Sequence, residues 1–399
     1  MKRSFCRVLC LGMTTVSLFN LTGCTLVDRL KGAKETDYGL MGKPVDDASS
    51  LFILNGDFVK EGYSINSPVC LISDNDIVID YTSDGGNLLV DYDFVSGKTV
   101  NEVKIDAGTE ITFCADNGSL LLRKADGEAS EYFVYDKNLK KVFSSKENKI
   151  ETTEMTMSLD GSTLGFSDKE GKSVSIFDLK EGKATKVREL ADEGLNEGDA
   201  QMYISKISSD ASKIIINTNV FKPEFSAKSC VYDTKEKKAE DVDFAGDSVE
   251  ACTGKFLVYN ANSNDGLVKV YDNAKLGTDE YTKINLENAE EITTFDICND
   301  TTAISEVVIK ADADYNDCVC AKSYNLENGM ADKSVMASAD SIFEAIKSEK
   351  NYESDNAANW FNSVKTGDRT SVRMNSEGTM AAITIEDNYG VRVLIWKLA

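Results

Sequence analysis

The 399-residue chain contains no histidine. That absence removes a Ser-His-Asp triad, a Cys-His pair, a histidine-ligated zinc site and any general base that titrates near neutral pH unaided. Positive charge is scarce as well, with 44 Lys and Arg against 67 Asp and Glu. A surface of that sign repels phosphate backbones and anionic headgroups, so no nucleic-acid partner is expected. There is no CxxC pair for a structural zinc, and no glycine-rich phosphate loop between a strand and a helix. Carboxylate chemistry and calcium binding survive these exclusions, although acid pairs are unavoidable, and so undiagnostic, among 67 carboxylates.

The chain begins MKRSFCRVLCLGMTTVSLFNLTGC. Lys2, Arg3 and Arg7 make a positive start. Residues 8–21 are mainly apolar, yet too short and too interrupted by Thr and Asn to span a bilayer. The stretch closes on Leu21-Thr22-Gly23-Cys24, which resembles the lipobox of bacterial lipoproteins. The resemblance implies a signal peptide over 1–23, lipid attachment to Cys24, and a place on the outer face of the cell membrane. An ordinary secretory signal with a chance cysteine is the alternative. Losing Lys2, Arg3 and Arg7 takes the net charge from −23 to −26, so lipid rather than a polybasic patch would supply the membrane attachment. Residues 24–50 then read as the lipidated cysteine and a polar tether.

Past the tether, an aromatic followed by a polar residue recurs. The pairs are Tyr92-Asp93, Tyr135-Asp136, Phe177-Asp178, Tyr232-Asp233, Tyr271-Asp272, Tyr324-Asn325 and Trp396-Lys397, spaced by 43, 42, 55, 39, 53 and 72. A polar turn precedes each, such as ADNGS at Ala115, SLDGS at Ser158 and NSEGT at Asn375. Between turn and mark lie short apolar runs, among them IVIDY, SLLLR, TLGFS and MAAITI, which read as strands. Four strands every 40–45 residues or so is the period of a β-propeller. A long β-sandwich with accidental pairs is the other reading, and seven copies in one position argue against it.

The expected fold is therefore all-β: a seven-bladed propeller of four-stranded antiparallel blades over residues 51–399, with six to eight blades compatible with the spacing. VRVLIWKLA lacks a following strand, while SLFILNGDFVKEGYSI, residues 50–65, holds a strand without a blade. Pairing the two would close the ring and remove an open sheet edge.

The SxDG…L turns and the VYD and IFDL endings resemble WD-repeat-like and TolB-like propellers. True WD repeats carry Gly-His and Trp-Asp pairs, neither of which occurs here, so the resemblance implies the architecture alone. None of the turns carries the tryptophan of a sialidase-type Asp box.

The longest interval contains an insertion, about residues 335–367, read as two short helices. Ser338 or Asp340 is the expected cap of the first, Ser354 or Asp355 of the second, and Gly367 its stop. Trp360 and Phe361 either present a partner-binding surface or pack the insertion onto the propeller. A smaller excess, residues 188–203, reads as an acidic loop. Asp312, Asp314 and Asn316 alternate like the start of a calcium loop, but Asp317 stands where the sharp turn wants Gly and Ser323 where a bidentate Glu belongs. Asp and Asn are also good turn residues. Cys70, Cys114, Cys252 and Cys298 each adjoin a blade-opening turn, so mostly buried thiols are expected.

These readings describe a lipid-anchored, extracytoplasmic propeller that binds or scaffolds a protein or glycan partner of the cell envelope. They name no cofactor, no metal and no catalytic residue. The alternatives are a carboxylate enzyme acting on envelope glycans in the channel, or a sensor or accessory subunit of an envelope complex.

Overall fold

In a computed structural model the described residues are 51–55, 63–73, 75–126, 129–242, 248–261, 267–275, 280–285, 292–309, 318–347, 356–364, 371–375, 377–388 and 390–397. They form seven antiparallel sheets of four strands each, so the blade count is seven. Around the axis stand the first strands of the blades: Ser64–Leu71, Thr109–Cys114, Met155–Met157, Ala200–Ile207, Ser248–Cys252, Ile292–Asn299 and Ser371–Met374.

Burial explains the composition of each strand. Second strands are sandwiched between neighbouring blades, which is why they read as apolar runs without alternation. Thr163–Ser167 and Met380–Asp387 are buried at every position. Fourth strands face solvent, and Lys183–Glu189 has no fully buried residue.

The aromatic-polar mark closes the third strand of every blade. Its ring turns inward: Tyr92, Phe177, Tyr324 and Trp396 are buried. Its polar residue turns the chain. Asp93 Oδ1 accepts from the N–H groups of Val95 and Ser96, and Asp178 Oδ1 from those of Lys180 and Glu181. Asp233 and Asn325 repeat the arrangement. Such side-chain turns are the reason Asp or Asn follows the aromatic. Lys397 departs from the rule because its neighbouring strand comes from elsewhere in the chain.

That neighbour is Leu51–Asn55, antiparallel to Gly390–Lys397, with Leu51 opposite Trp396 and Asn55 opposite Arg392. The ring is thus closed by the N-terminal run, as its lone strand suggests. Five residues suffice, and Ser64–Leu71 belongs to blade one instead.

Two helices fill the interval before the last blade, α1 (Ala339–Ile346) and α2 (Ala357–Phe361). Ser338 caps α1 through the Ser341 N–H. Asn356 caps α2, in place of the expected Ser354 or Asp355, which like Gly367 lie outside the described residues. Trp360 and Phe361 are 0% and 1% exposed, so they offer no surface to a partner and pack the insertion instead. They join Ile342, Phe343, Trp396 and Ile53 in one apolar cluster. Trp360 Nε1 donates to Asp387 Oδ2 at 2.7 Å, and Arg392 Nε donates to the same oxygen at 2.6 Å. Both charged side chains of that pair are wholly buried.

Three other expectations meet the structure here. Cys70 and Cys114 form a disulfide between blades one and two, not two thiols, with a Cα separation of 5.9 Å. Facing inner strands bring them together, which no spacing along the chain displays. Cys230, Cys252 and Cys298 do remain buried thiols. Residues 188–203 are more ordered than an acidic loop: Leu190–Glu193 is a 3-10 turn with Leu190 buried, followed by the inner strand of blade four. Residues 1–50, Cys24 included, and Asp312, Asp314 and Asn316 lie outside the described residues.

Candidate binding channel

Each inner strand carries, at or next to its last residue, an apolar or sulphur-bearing side chain beside the polar turn. These are Leu71, Cys114, Met157, Ile207, Cys252, Cys298 and Met374, and all seven line one cavity of about 190 Å³. A tier contributed once by every blade surrounds the axis, so the cavity is the propeller channel. The ring explains why cysteine and methionine recur before the turns: each position faces its equivalents and must be compact and apolar.

A second tier lies one or two residues further in. Inner strands of blades two, four and five shift register at Ile111/Phe113, Ile204/Lys206 and Val249/Ala251. Bulges of this kind re-aim the side chains beside them. The result brings Phe113, Lys206 and Ala251, with Thr112, Thr156, Asp296 and Arg373, to the cavity wall.

Arg373 Nη1 lies 2.5 Å from Asp296 Oδ2, and each side chain is 26% exposed, to the channel. Burial opposes the Arg373 charge, but Asp296 outweighs it and holds the guanidinium above its ordinary pKa. Arg373 Nε is buried without an acceptor among the described residues. A buried donor left unpaired costs about 1–3 kcal/mol, so a ligand oxygen that reached it would be favoured.

The turns beside the apolar tier supply Asp116, which lines the cavity, and its neighbours Asp160 and Asp300, with Asp210 near Cys252. Asp210 is held down to about 2: burial opposes its charge, but Ser212, Ser208 and Lys235 outweigh the burial. Asp300 accepts from Ser209 Oγ and, at 3.4 Å, from the Gly254 N–H. Asp116 differs. Burial first, then Asp296, Asp300 and Asp160, push its carboxyl up to about 7. The channel thiols go up too: burial takes Cys252 to about 12, and burial with Asp296 raises Cys298. Neither thiol is an anionic nucleophile at neutral pH.

A pH dependence follows. A carboxyl raised from 3.8 to about 7 favours the folded state while protonated. That contribution is complete below the unfolded value and disappears as pH rises through the folded one. Stability should therefore fall between about pH 4 and pH 7, by on the order of 2–4 kcal/mol for Asp116 alone. Asp80 and Asp91, both pushed up to about 6 chiefly by burial, add in the same direction. In melts across that range, Asp116→Asn should be flatter than the parent; identical slopes would show that Asp116 is ionised in the fold.

None of the lining residues was legible as a site from sequence. Lys206 and Arg373 each stand two residues before a marked turn, at Ser208 and Asn375, and this equivalence was the available signal. Trp360 and Phe361, by contrast, sit in the cluster between blades six and seven and do not line the channel.

No family model matches the chain, and no curated protein matches it. Solved propellers are similar in shape. The Cps50 (Swd1) β-propeller domain of Myceliophteria thermophila aligns at 9% identity over 86% of this chain and 98% of its own, with a TM-score of 0.45. The β-propeller domain of the Trilobed protease from Pyrococcus furiosus aligns at 12% over 84% and 96%, with 0.48. A chain of the mitotic checkpoint complex gives 10% over 89% and 94%, also with 0.48. The propeller assignment rests on the seven sheets themselves.

Proposed function

We propose that this chain is a lipid-anchored, extracytoplasmic binding module of the cell envelope, and that its channel holds an oxygen-bearing anionic group of a protein partner or small ligand. One observation carries the reading: Arg373, with an unpaired buried Nε, shares with Lys206 the wall of a cavity that every blade lines. A rigid apolar collar beside Lys206 and the Arg373–Asp296 pair, whose Arg373 Nε still lacks an acceptor among the described residues, suits orientation of a carboxylate better than turnover, because thiols held protonated and the absent histidine leave few reacting groups. The test is capture of envelope proteins and metabolites on the lipidated protein. Arg373→Ala with Lys206→Ala should reduce recovery of the bound species about tenfold or more; recovery at the parent level would sink the channel as the site.

A carboxylate enzyme is the second reading, favoured by the near-neutral Asp116 beside Asp296 and Asp300. Against it, Phe113 alone is aromatic among the described residues that line the channel, a single ring on which a sugar could stack. Release of soluble sugar from envelope glycans, lost in Asp116→Asn, would favour the enzyme.

The anchor has its own test. Cys24→Ala should leave residues 1–23 attached and abolish labelling with a fatty-acid probe. A variant that still takes up label would remove lipidation at Cys24 from the proposal.

A further inference from the structure

We propose that blade six carries a site for a soft monovalent cation of the Cu(I) class, held by the sulphurs of Cys318, Cys320 and Met336. The third strand of that blade is Cys318–Asn325. Alternate residues of a strand share a face, so Cys318, Cys320 and Lys322 stand on the same side. The two cysteine sulphurs are 3.7 Å apart, and both residues are buried. Their Cα atoms are roughly 6.5–7 Å apart along an extended strand, the outer limit for a disulfide. An ion between the sulphurs joins them without bending the backbone.

The third ligand comes from the outer strand Ala331–Ser338. Met336 is directly opposite Cys320 in the ladder, hence on the same face. It is 59% exposed, a large apolar side chain left in water beside a buried pair of thiols. Its flexible thioether is a soft donor that can fold over them. Two thiolates and a thioether select Cu(I) over magnesium or calcium. A structural zinc wants four nitrogen or sulphur donors, and no cluster of three His, Cys, Asp or Glu exists among the described residues.

Charge closes the argument. Cu⁺ and two thiols give a complex of net charge −1 and two protons, with no change of oxidation state. Lys322 on the same face offsets that charge. Ligation by two thiolates displaces the two thiol protons.

The experiment is an anaerobic titration of the full-length protein with Cu(I) against a chromophoric chelator. One ion per chain should be retained, with a sulphur-only shell by X-ray absorption and two protons released. Cys318→Ser and Cys320→Ser should each lower the affinity at least a hundredfold, and Met336→Leu about tenfold. Met336 is exposed, so its variant should melt like the parent and reports even if the cysteine variants misfold. The proposal fails if the parent retains no Cu(I), if the shell contains oxygen or nitrogen, or if Met336→Leu binds like the parent. It fails equally if folded Cys318→Ser retains the ion, since sulphurs elsewhere in the chain would then be the ligands.

Discussion

Trp360→Ala is expected to destabilise the propeller by about 3–5 kcal/mol, the range for truncating a large buried aromatic. The indole is wholly buried among Phe361, Ile342 and the Trp396 cluster. Its removal leaves a cavity and takes one donor from Asp387, whose carboxylate lies beside the buried Arg392 guanidinium. Trp360→Phe separates the two contributions, because it fills most of the space and loses only the hydrogen bond, at about 1–3 kcal/mol. Replacing residues 340–365 by a short Gly-Ser bridge should then unfold blade seven, although loop-closure entropy alone would make such a deletion cheap. Denaturant unfolding followed by circular dichroism decides the matter. A loss below about 1 kcal/mol for Trp360→Ala would show the insertion to be peripheral.

Deleting residues 51–55 should be nearly as damaging. The cut uncovers the Arg392–Trp396 edge of the last blade and removes the buried Ile53 from the same cluster. Losing that side chain alone is worth about 2–5 kcal/mol. The exposed edge of the last blade also becomes a template for a second chain. Sedimentation should show oligomers that the parent lacks, together with earlier melting; Ile53→Ala should melt early yet stay monomeric. A monomeric truncation that melts like the parent would mean that the ring holds without its fourth outer strand.

Much of the architecture could be read from the chain because a propeller repeats its physics. Each blade needs an inward ring, a turn acceptor and a middle strand buried on both faces, and these show as Tyr92-Asp93 or Phe177-Asp178 with an apolar run before them. The seventh copy, Trp396-Lys397, keeps the ring and drops the acceptor where another segment supplies the strand.

The channel was less legible for the opposite reason. Binding groups break the repeat: Lys206 and Arg373 stand one residue before the apolar tier, where the other blades place Cys70, Phe113, Thr156, Ala251 and Ile297, and Asp296 lies one residue further in. The Cys70–Cys114 bridge was hidden too, because two strands facing one axis leave no mark on the sequence between them. Trp360 and Phe361 were ambiguous, since an interval of 72 gives the length of an excursion but not the face it buries.

The pairing of Leu51–Asn55 with Gly390–Lys397 also sets an order of events in time. Blades one to six are each made from consecutive strands, so they need only local hairpins and can form as the chain emerges. The last blade cannot be completed until both of its contributors have been delivered, and its N-terminal strand must wait, unpaired, for nearly the whole polypeptide. Contacts so distant along the chain form slowly, and a waiting strand is open to the wrong neighbour. Ring closure is thus the late step of folding, and mutations at the Leu51–Trp396 seam should act mainly on how fast the finished ring reopens.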